Sequence, residues 1–210
     1  MKKISLIILT LFFITFLYAQ TAPTLETICA SLSAHPNTTG DFTQTKTIQT
    51  NNRKLKSSGK YIICPKGILW KTEKPVPTSL ILTKDTMVQI AANGSKSVMS
   101  GKDNQIFSNI SETLSCVFSG DAAALKKNFT CDFSTPQPGY WTVSLTPKDK
   151  TIASVMSTLV LSGTYKNQND AEMTELLMTE ASGNTITYEF ANQKYPQELS
   201  ADEKQNFVVD

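Results

Sequence analysis

The side chains that most often perform catalysis are scarce in this chain of 210 residues. His35 is its one histidine, and it stands beside Pro36 with no acidic neighbour in the sequence. A Ser–His–Asp or Cys–His arrangement would have to use this residue as its base. We interpret His35 as a solvated histidine at the end of a helix, and we predict no catalytic residues.

Carboxylates are the remaining candidates for acid–base chemistry. Glu172, Glu175 and Glu180 fall in one predicted strand region. Two carboxylates that face each other across a cleft would suit an exported hydrolase, whereas separate surface charges are the simpler interpretation. No Gly-rich phosphate-binding loop of the GxGxxG or GxxxxGK[ST] type occurs, so the sequence predicts no nucleotide cofactor.

The N-terminus has the three parts of a secretory signal peptide. Residues 1–3 are positively charged, residues 4–17 form an uncharged and largely apolar run, and Ala19 is a small residue at the predicted cleavage point. A membrane anchor is the alternative, but the run is shorter than the roughly 20 residues that cross a bilayer. We therefore expect residues 1–19 to be removed and residues 20–210 to form a single soluble domain.

The charge of the mature chain is balanced. Removal of Lys2 and Lys3 from the 20 basic residues leaves 18, which equals the 18 acidic residues. Proteins that bind nucleic acids concentrate Lys and Arg on one surface, and Arg53 is the one arginine here. We expect no nucleic-acid partner.

Four cysteines are spread along the chain: Cys29, Cys64, Cys116 and Cys131. An even number in an exported chain allows two disulfides. The shortest loop lies between Cys116 and Cys131, which favours the pairs Cys116–Cys131 and Cys29–Cys64. Four buried free thiols are the alternative, and both remain open. The scattered spacing does not match a zinc site, so we predict no bound metal.

The hydrophobic pattern predicts two or three helices and about ten strands. Leu25, Ile28, Cys29 and Leu32 form one apolar stripe of a helix over residues 24–34. A second helical pattern covers residues 107–118, and a short turn of helix covers residues 121–127. Strand patterns begin at residue 41 and recur at residues 54–64, 67–73, 78–83, 86–91, 96–99, 129–133, 140–146, 155–162, 172–180 and 184–191.

Turn residues join these strands directly, so the pattern favours an antiparallel meander. We predict a mainly β fold of the α+β class, in which a curved sheet or open barrel has helices over its mouth or one face.

The most specific segment covers residues 41–82. It contains, in order, Phe42-Thr43-Gln44, the Gly-containing strand SGKYII at 58–63, the Pro turn and aromatic strand CPKGILW at 64–70, and Lys74-Pro75. This order resembles the LolA-type periplasmic carriers of outer-membrane lipoproteins in Gram-negative bacteria. Residues 145–147, Leu-Thr-Pro, and the strand at 183–192 continue the resemblance along the chain.

The resemblance implies a half-open antiparallel barrel with an apolar concave side and a helical lid. Such carriers take the acyl chains of lipoproteins from an inner-membrane exporter and pass them to an outer-membrane acceptor, without a cofactor. We expect a periplasmic monomer that touches membrane proteins transiently. The family often has an arginine that tethers the lid just before the Pro of its second strand. Cys64 holds this lid-latch position, and a Cys64–Cys29 disulfide is one way to replace the arginine.

Apolar residues of the strands and of the second helical pattern are the predicted lining of the acyl cavity. They are Tyr61, Ile63, Ile68, Trp70, Leu80, Leu82, Val88, Ile90, Phe107, Leu114, Phe118 and Met156. An alternative is that most of them are ordinary core, in which case the chain would be an interaction module of the cell envelope with a filled barrel.

Overall fold

The structure, a computed structural model, describes residues 22–100, 117, 120–167 and 169–208. The predicted signal peptide therefore lies outside the described residues, as do Phe107, Leu114, Cys116 and Phe118. In the part of the chain that is described, no helix is long and apolar enough to cross a membrane.

Eleven strands form one antiparallel sheet. Its strands are β1 (Thr38–Ile48), β2 (Arg53–Cys64), β3 (Gly67–Lys74), β4 (Thr78–Leu82), β5 (Thr86–Ile90), β6 (Lys96–Ser100), β7 (Phe129–Ser134), β8 (Tyr140–Pro147), β9 (Met156–Asn167), β10 (Asp170–Glu180) and β11 (Thr185–Lys194). Their order across the sheet is β6-β5-β4-β3-β2-β1-β11-β10-β9-β8-β7, so β6 and β7 are the two edge strands of the described sheet. The prediction of a mainly β, curved and unclosed sheet is confirmed.

The sheet curves strongly, and one cavity demonstrates this. Strands β5 and β9 are seven steps apart, which in a flat sheet would separate them by about 34 Å. Side chains from both strands nevertheless line the same cavity. The sheet therefore bends toward that side, which we call the inner face, and the opposite side is the outer face.

Two glycines permit close approaches between neighbouring parts of the sheet. Gly67 follows the β2–β3 turn with φ +144°, and a Cβ atom there would lie 2.1 Å from the carbonyl oxygen of Leu82. Gly163 on β9 is paired with Trp141 on β8, and its Cβ would lie 2.7 Å from the indole ring. The Trp141 side chain is buried, so only glycine leaves room for it.

In the described ranges, three helices pack on the inner face: α1 (Leu25–Ser33), α2 (Ala122–Asn128) and α3 (Lys150–Ala153). Thr24 and Thr27 cap the start of α1 reciprocally. Its apolar stripe buries Leu25, Ile28 and Cys29, as the sequence predicts. The backbone N–H of Ala171 donates a 2.9 Å hydrogen bond to the buried hydroxyl of Ser31, which ties α1 to β10.

The outer face of the same sheet is covered by the chain after β11. A fourth helix, α4 (Ala201–Gln205), begins at Ser200 with a capping box. Leu199 and Phe207 flank this helix and pack against Ile62, Leu69, Ile81 and Val88. The Asn37 side chain donates hydrogen bonds to the carbonyls of Pro196 and Gln197. This segment therefore seals an apolar patch of β2–β5 from solvent.

Cys29, Cys64 and Cys131 are free thiols in the described part of the chain. The predicted Cys29–Cys64 disulfide is therefore not formed, and Cys116 of the predicted Cys116–Cys131 pair lies outside the described residues. Cys29 is buried in the inner-face core, whereas Cys64 packs against the outer-face cluster. The pair Cys29–Cys64 is thus prevented by the sheet between them. Burial raises the pKa of the Cys29 thiol to about 12, which keeps it protonated and unreactive.

Candidate functional site

An apolar cavity of about 510 Å³ lies on the inner face. Strands β3–β5 form one wall, and β9, β10 and the α3 region form the other. Its lining consists of Gln44, Trp70, Thr72, Thr78, Ser79, Leu80, Met87, Gln89, Ile152, Val155, Met156, Leu159, Leu176, Met178 and Tyr188. Ten of these fifteen described side chains are apolar or aromatic and none is charged. The volume falls within the roughly 300–1,000 Å³ of small-molecule sites.

The strand register places the first wall. Residues directly opposite each other on antiparallel strands point to the same face. Trp70 is paired with Leu80, and Leu80 is paired with Gln89. Met87 pairs with Leu82 on the same face. The alternation along β3–β5 therefore sets one row of large apolar side chains toward the cavity.

The same rule places the second wall, which lies on the inner face of β9–β11. Leu176 on β10 is paired with Tyr188 on β11, and Met178 is paired with Leu159 on β9. Val155, just before β9, is 41% exposed, which puts an apolar side chain where the cavity opens to solvent.

An aromatic group forms the floor between the walls. The rings of Trp70 and Tyr188 meet edge to face with centroids 5.2 Å apart. Phe42 contacts both rings from the core side, at 5.6 Å and 6.0 Å. Burial raises the pKa of Tyr188 to about 12. The phenol is therefore neutral at physiological pH and adds no charge to the floor.

Charge appears on the inner face just beyond the lining. The Lys46 ammonium contacts the Glu180 carboxylate at 2.5 Å, two residues past Gln44 on β1 and two past Met178 on β10. Lys46, followed by Asn184, lowers the pKa of Glu180 through hydrogen bonds. Both charges are thus compensated outside the cavity.

The same geometry separates two of the predicted carboxylates, Glu175 and Glu180. Glu180 is occupied by Lys46 on the inner face. Glu175 lies an odd number of residues away on β10, hence on the outer face, opposite Glu189. The two carboxylates are separated by the sheet.

Six predicted cavity residues lie on the inner face of β2–β4, and Met156 on β9 joins them there. Trp70, Leu80 and Met156 line the cavity itself. Ile68 and Leu82 form a small buried cluster beside it, which also contacts Ile63, while Tyr61 is buried in the inner-face core. The contribution of all of these residues to ligand binding stays a prediction.

The prediction that Val88 and Ile90 line the cavity is wrong. Val88 is paired with Ile81 on β4, and it packs against Leu199 and Phe207 on the outer face. Ile90 lies two residues further along the same face. The physical reason is that both faces of β3–β5 are apolar, so alternation alone does not identify the face that holds the cavity.

The sequence did not predict most of the second wall, including Leu159, Leu176, Met178 and Tyr188, and it did not predict Met87 in the first wall. Met178 and Tyr188 sit in the predicted strands, and their even spacing from Leu176 and Phe190 marks them as one face. The sequence contains no signal that shows which distant strands the curvature brings together.

Cys64, at the predicted latch position, ends β2 and is half-buried. It lines a second, smaller pocket of about 280 Å³ at the β2–β3 turn, together with Ile63 and Ile68. A role for Cys64 in holding a lid stays a prediction.

The family described as Outer membrane lipoprotein carrier protein LolA matches residues 35–205 of this sequence. The chain belongs to this LolA family. The match includes all eleven strands and both cavity walls. No curated protein matches the chain significantly.

Solved structures that are similar to this chain have low sequence identity to it. A LolA superfamily protein from Nitrosomonas europaea has 10% identity and a TM-score of 0.47, with 90% of this chain and 99% of that chain covered. A DUF1329 family protein from Desulfovibrio piger has 12% identity and a TM-score of 0.48, with 84% and 92% covered. A putative outer membrane lipoprotein-sorting protein domain from Vibrio parahaemolyticus has 10% identity and a TM-score of 0.44, with 87% and 97% covered. The family assignment rests on the sequence match and not on these structures.

Proposed function

We propose that this protein is a periplasmic carrier that binds the acyl chains of lipoproteins, or of another lipid, and shuttles them from the inner to the outer membrane. The observation that carries the proposal is the uncharged apolar cavity of about 510 Å³ on the inner face. The match to a family of lipoprotein carriers supports it. No step of this function requires a reactive group, so the protein acts without catalysis or a cofactor.

The chemistry of the lining suits a flexible hydrocarbon chain. Each methylene removed from water stabilises the complex by about 0.8 kcal/mol, so a single acyl chain supplies enough affinity. Met87, Met156 and Met178 contribute three unbranched side chains to the walls. Methionine adapts its shape to irregular partners, which suits a carrier that accepts more than one lipid.

Transfer between two membranes defines the partners and the state of the carrier. We propose that residues 1–19 direct export and are removed, and that the mature chain travels as a monomer. It would receive its cargo from an inner-membrane exporter and deliver it to an outer-membrane acceptor. Release requires that the loaded and empty states differ little in free energy, which fits a cavity that remains accessible to solvent through Val155.

Binding of a fluorescent fatty acid to the purified mature protein tests this function. We expect saturable binding that Leu80→Arg weakens at least tenfold, because a guanidinium in the apolar wall loses its hydration. Val98→Arg is the matched control. It adds the same charge to β6 at a side chain that is 55% exposed on the outer face, and affinity should stay unchanged.

The cellular cargo is tested separately by native mass spectrometry of the protein purified from its own periplasm. A co-purified acylated protein or lipid, lost in Leu80→Arg and kept in Val98→Arg, supports the carrier function. An unloaded protein that also fails to bind the fluorescent fatty acid contradicts it.

A further inference from the structure

The second pocket lies at the end of the sheet away from the acyl cavity, and we call it the hairpin pocket. The β2–β3 turn contributes Cys64, Pro65 and Lys66, and the β4–β5 turn contributes Lys84. The segment that follows α1 contributes His35. In an antiparallel meander these two turns point to the same end of the sheet, so the fold brings two lysines from distant parts of the sequence to one small concavity.

The charged side chains of the hairpin pocket are positive. Lys66 and Lys84 line it, and no carboxylate is among its described lining residues. None of the ion pairs in the described part of the chain involves either lysine. Two like charges at one concavity repel each other, and an anion between them would relieve that repulsion.

The end of α1 opposes the lysine charges, because Ser33 lines the pocket and a helix C-terminus carries a partial negative charge of about one half. Its last carbonyls are already used: the backbone N–H of Ala34 donates to Ala30, and that of His35 donates to Leu32. Two full lysine charges outweigh this partial charge.

His35 also lines the pocket, and the orientation of its ring is fixed by stacking. Its ring stacks on Tyr195 with centroids 4.0 Å apart, which orients an imidazole donor beside the lysines. The pocket is separate from the acyl cavity, because the Ile68–Leu82 cluster forms the wall between them.

We propose that the hairpin pocket binds an anionic group of the phosphate or carboxylate class through Lys66 and Lys84, with His35 as a further donor. The volume of about 280 Å³ admits a free anion or a lipid headgroup. The proposal stands on the pocket alone, so its failure would leave the carrier function untouched.

The single histidine makes the test direct, since the imidazole protons of His35 give unique proton NMR signals in untagged mature protein. Inorganic phosphate is titrated at constant pH and ionic strength, with sodium chloride as the reference. We expect a saturable shift of the His35 signals. Lys66→Gln/Lys84→Gln should weaken phosphate binding about tenfold by loss of two charge-assisted contacts, whereas Lys66→Arg/Lys84→Arg should retain it.

Lys54→Gln/Lys56→Gln is the matched control, because it removes the same charge from exposed positions at the far end of β2. A second arm replaces phosphate with a short-chain anionic phospholipid below its micelle concentration. Saturation by either ligand that depends on Lys66 and Lys84 supports the site, and the tighter ligand identifies free anion or headgroup. Shifts that chloride reproduces, or equal weakening in the control variant, would overturn the proposal.

Discussion

Strands β3–β5 present two apolar faces, of which one is covered by the chain and the other borders a cavity. On the outer face, Leu69, Ile81 and Val88 are closed over by Leu199 and Phe207 from the chain after β11. On the inner face, Trp70 and Leu80 border a cavity of about 510 Å³. The chemistry of the two faces is similar, yet one is a sealed core and the other an accessible site.

The difference shows that covering, and not composition, separates a core from a binding site in this sheet. A sealed face stabilises the folded state by burying its own apolar surface. Beside the cavity, the described residues leave part of the inner apolar face without such a cover. That surface contributes less stabilisation, and under the proposed function a lipid ligand would supply it. The two faces should therefore respond differently to the same kind of mutation.

The largest expected effect is on the outer face, at its seal. Phe207→Ala removes a buried ring from this cluster and should lower the free energy of unfolding by about 3 kcal/mol, as measured by chemical denaturation. Affinity for a fluorescent fatty acid should stay the same. Val208→Ala, at a neighbouring side chain that is 56% exposed, should change stability by less than about 0.5 kcal/mol.

A sharper comparison uses two neighbours on β4 that point to opposite faces. Ile81 is buried on the outer face, whereas Leu80 lines the cavity. Ile81→Ala should cost about 3 kcal/mol of unfolding free energy and Leu80→Ala about 1 kcal/mol, because Leu80 already borders open space and loses fewer contacts. Only Leu80→Ala should alter ligand affinity. Equal costs in stability would mean that the inner face is packed like the outer one.

The smallest expected effect concerns the ion pair beyond the cavity. Lys46 lowers the pKa of Glu180 below its ordinary value of 4.5, so the stabilisation by this pair is present above pH 4.5 and is lost as the pH falls through the lower folded-state pKa. Glu180→Gln should cost under about 1 kcal/mol at pH 7, and the difference from the unmodified protein should shrink below pH 4.5.

Glu189→Gln on the outer face is the matched control for removal of a carboxylate. It should cause no comparable loss of stability at pH 7, because none of the ion pairs among the described residues involves Glu189. Acyl affinity should be unchanged in both variants, since neither residue lines the cavity. A large loss of affinity in Glu180→Gln would show that the ion pair belongs to the binding site.

Much of the fold follows from the sequence because its local signals are strong. The stripe through Ile28 and Cys29 predicts α1, and Pro65, Gly67 and Gly183 mark turns between alternating strands. The short helix α3 was missed, because four residues are too few to show a helical period.

The site was only half predictable. The Trp70 and Leu80 wall follows from the family resemblance, but Val88 and Ile90 were assigned to it although they lie on the outer face. Alternation identifies two faces and does not say which one the C-terminal segment covers. The wall with Leu176 and Met178 depends on curvature over seven strand steps, a global property that no local pattern contains.

Photolabelling with a diazirine fatty acid, followed by peptide mapping, tests most directly whether the inner face is the lipid site. We expect labels to concentrate on the cavity walls, around Met87, Met156 and Met178, and excess unlabelled fatty acid to compete with them. Labels that instead concentrate around Leu199 and Phe207 on the outer face, or that competitor does not displace, would contradict it.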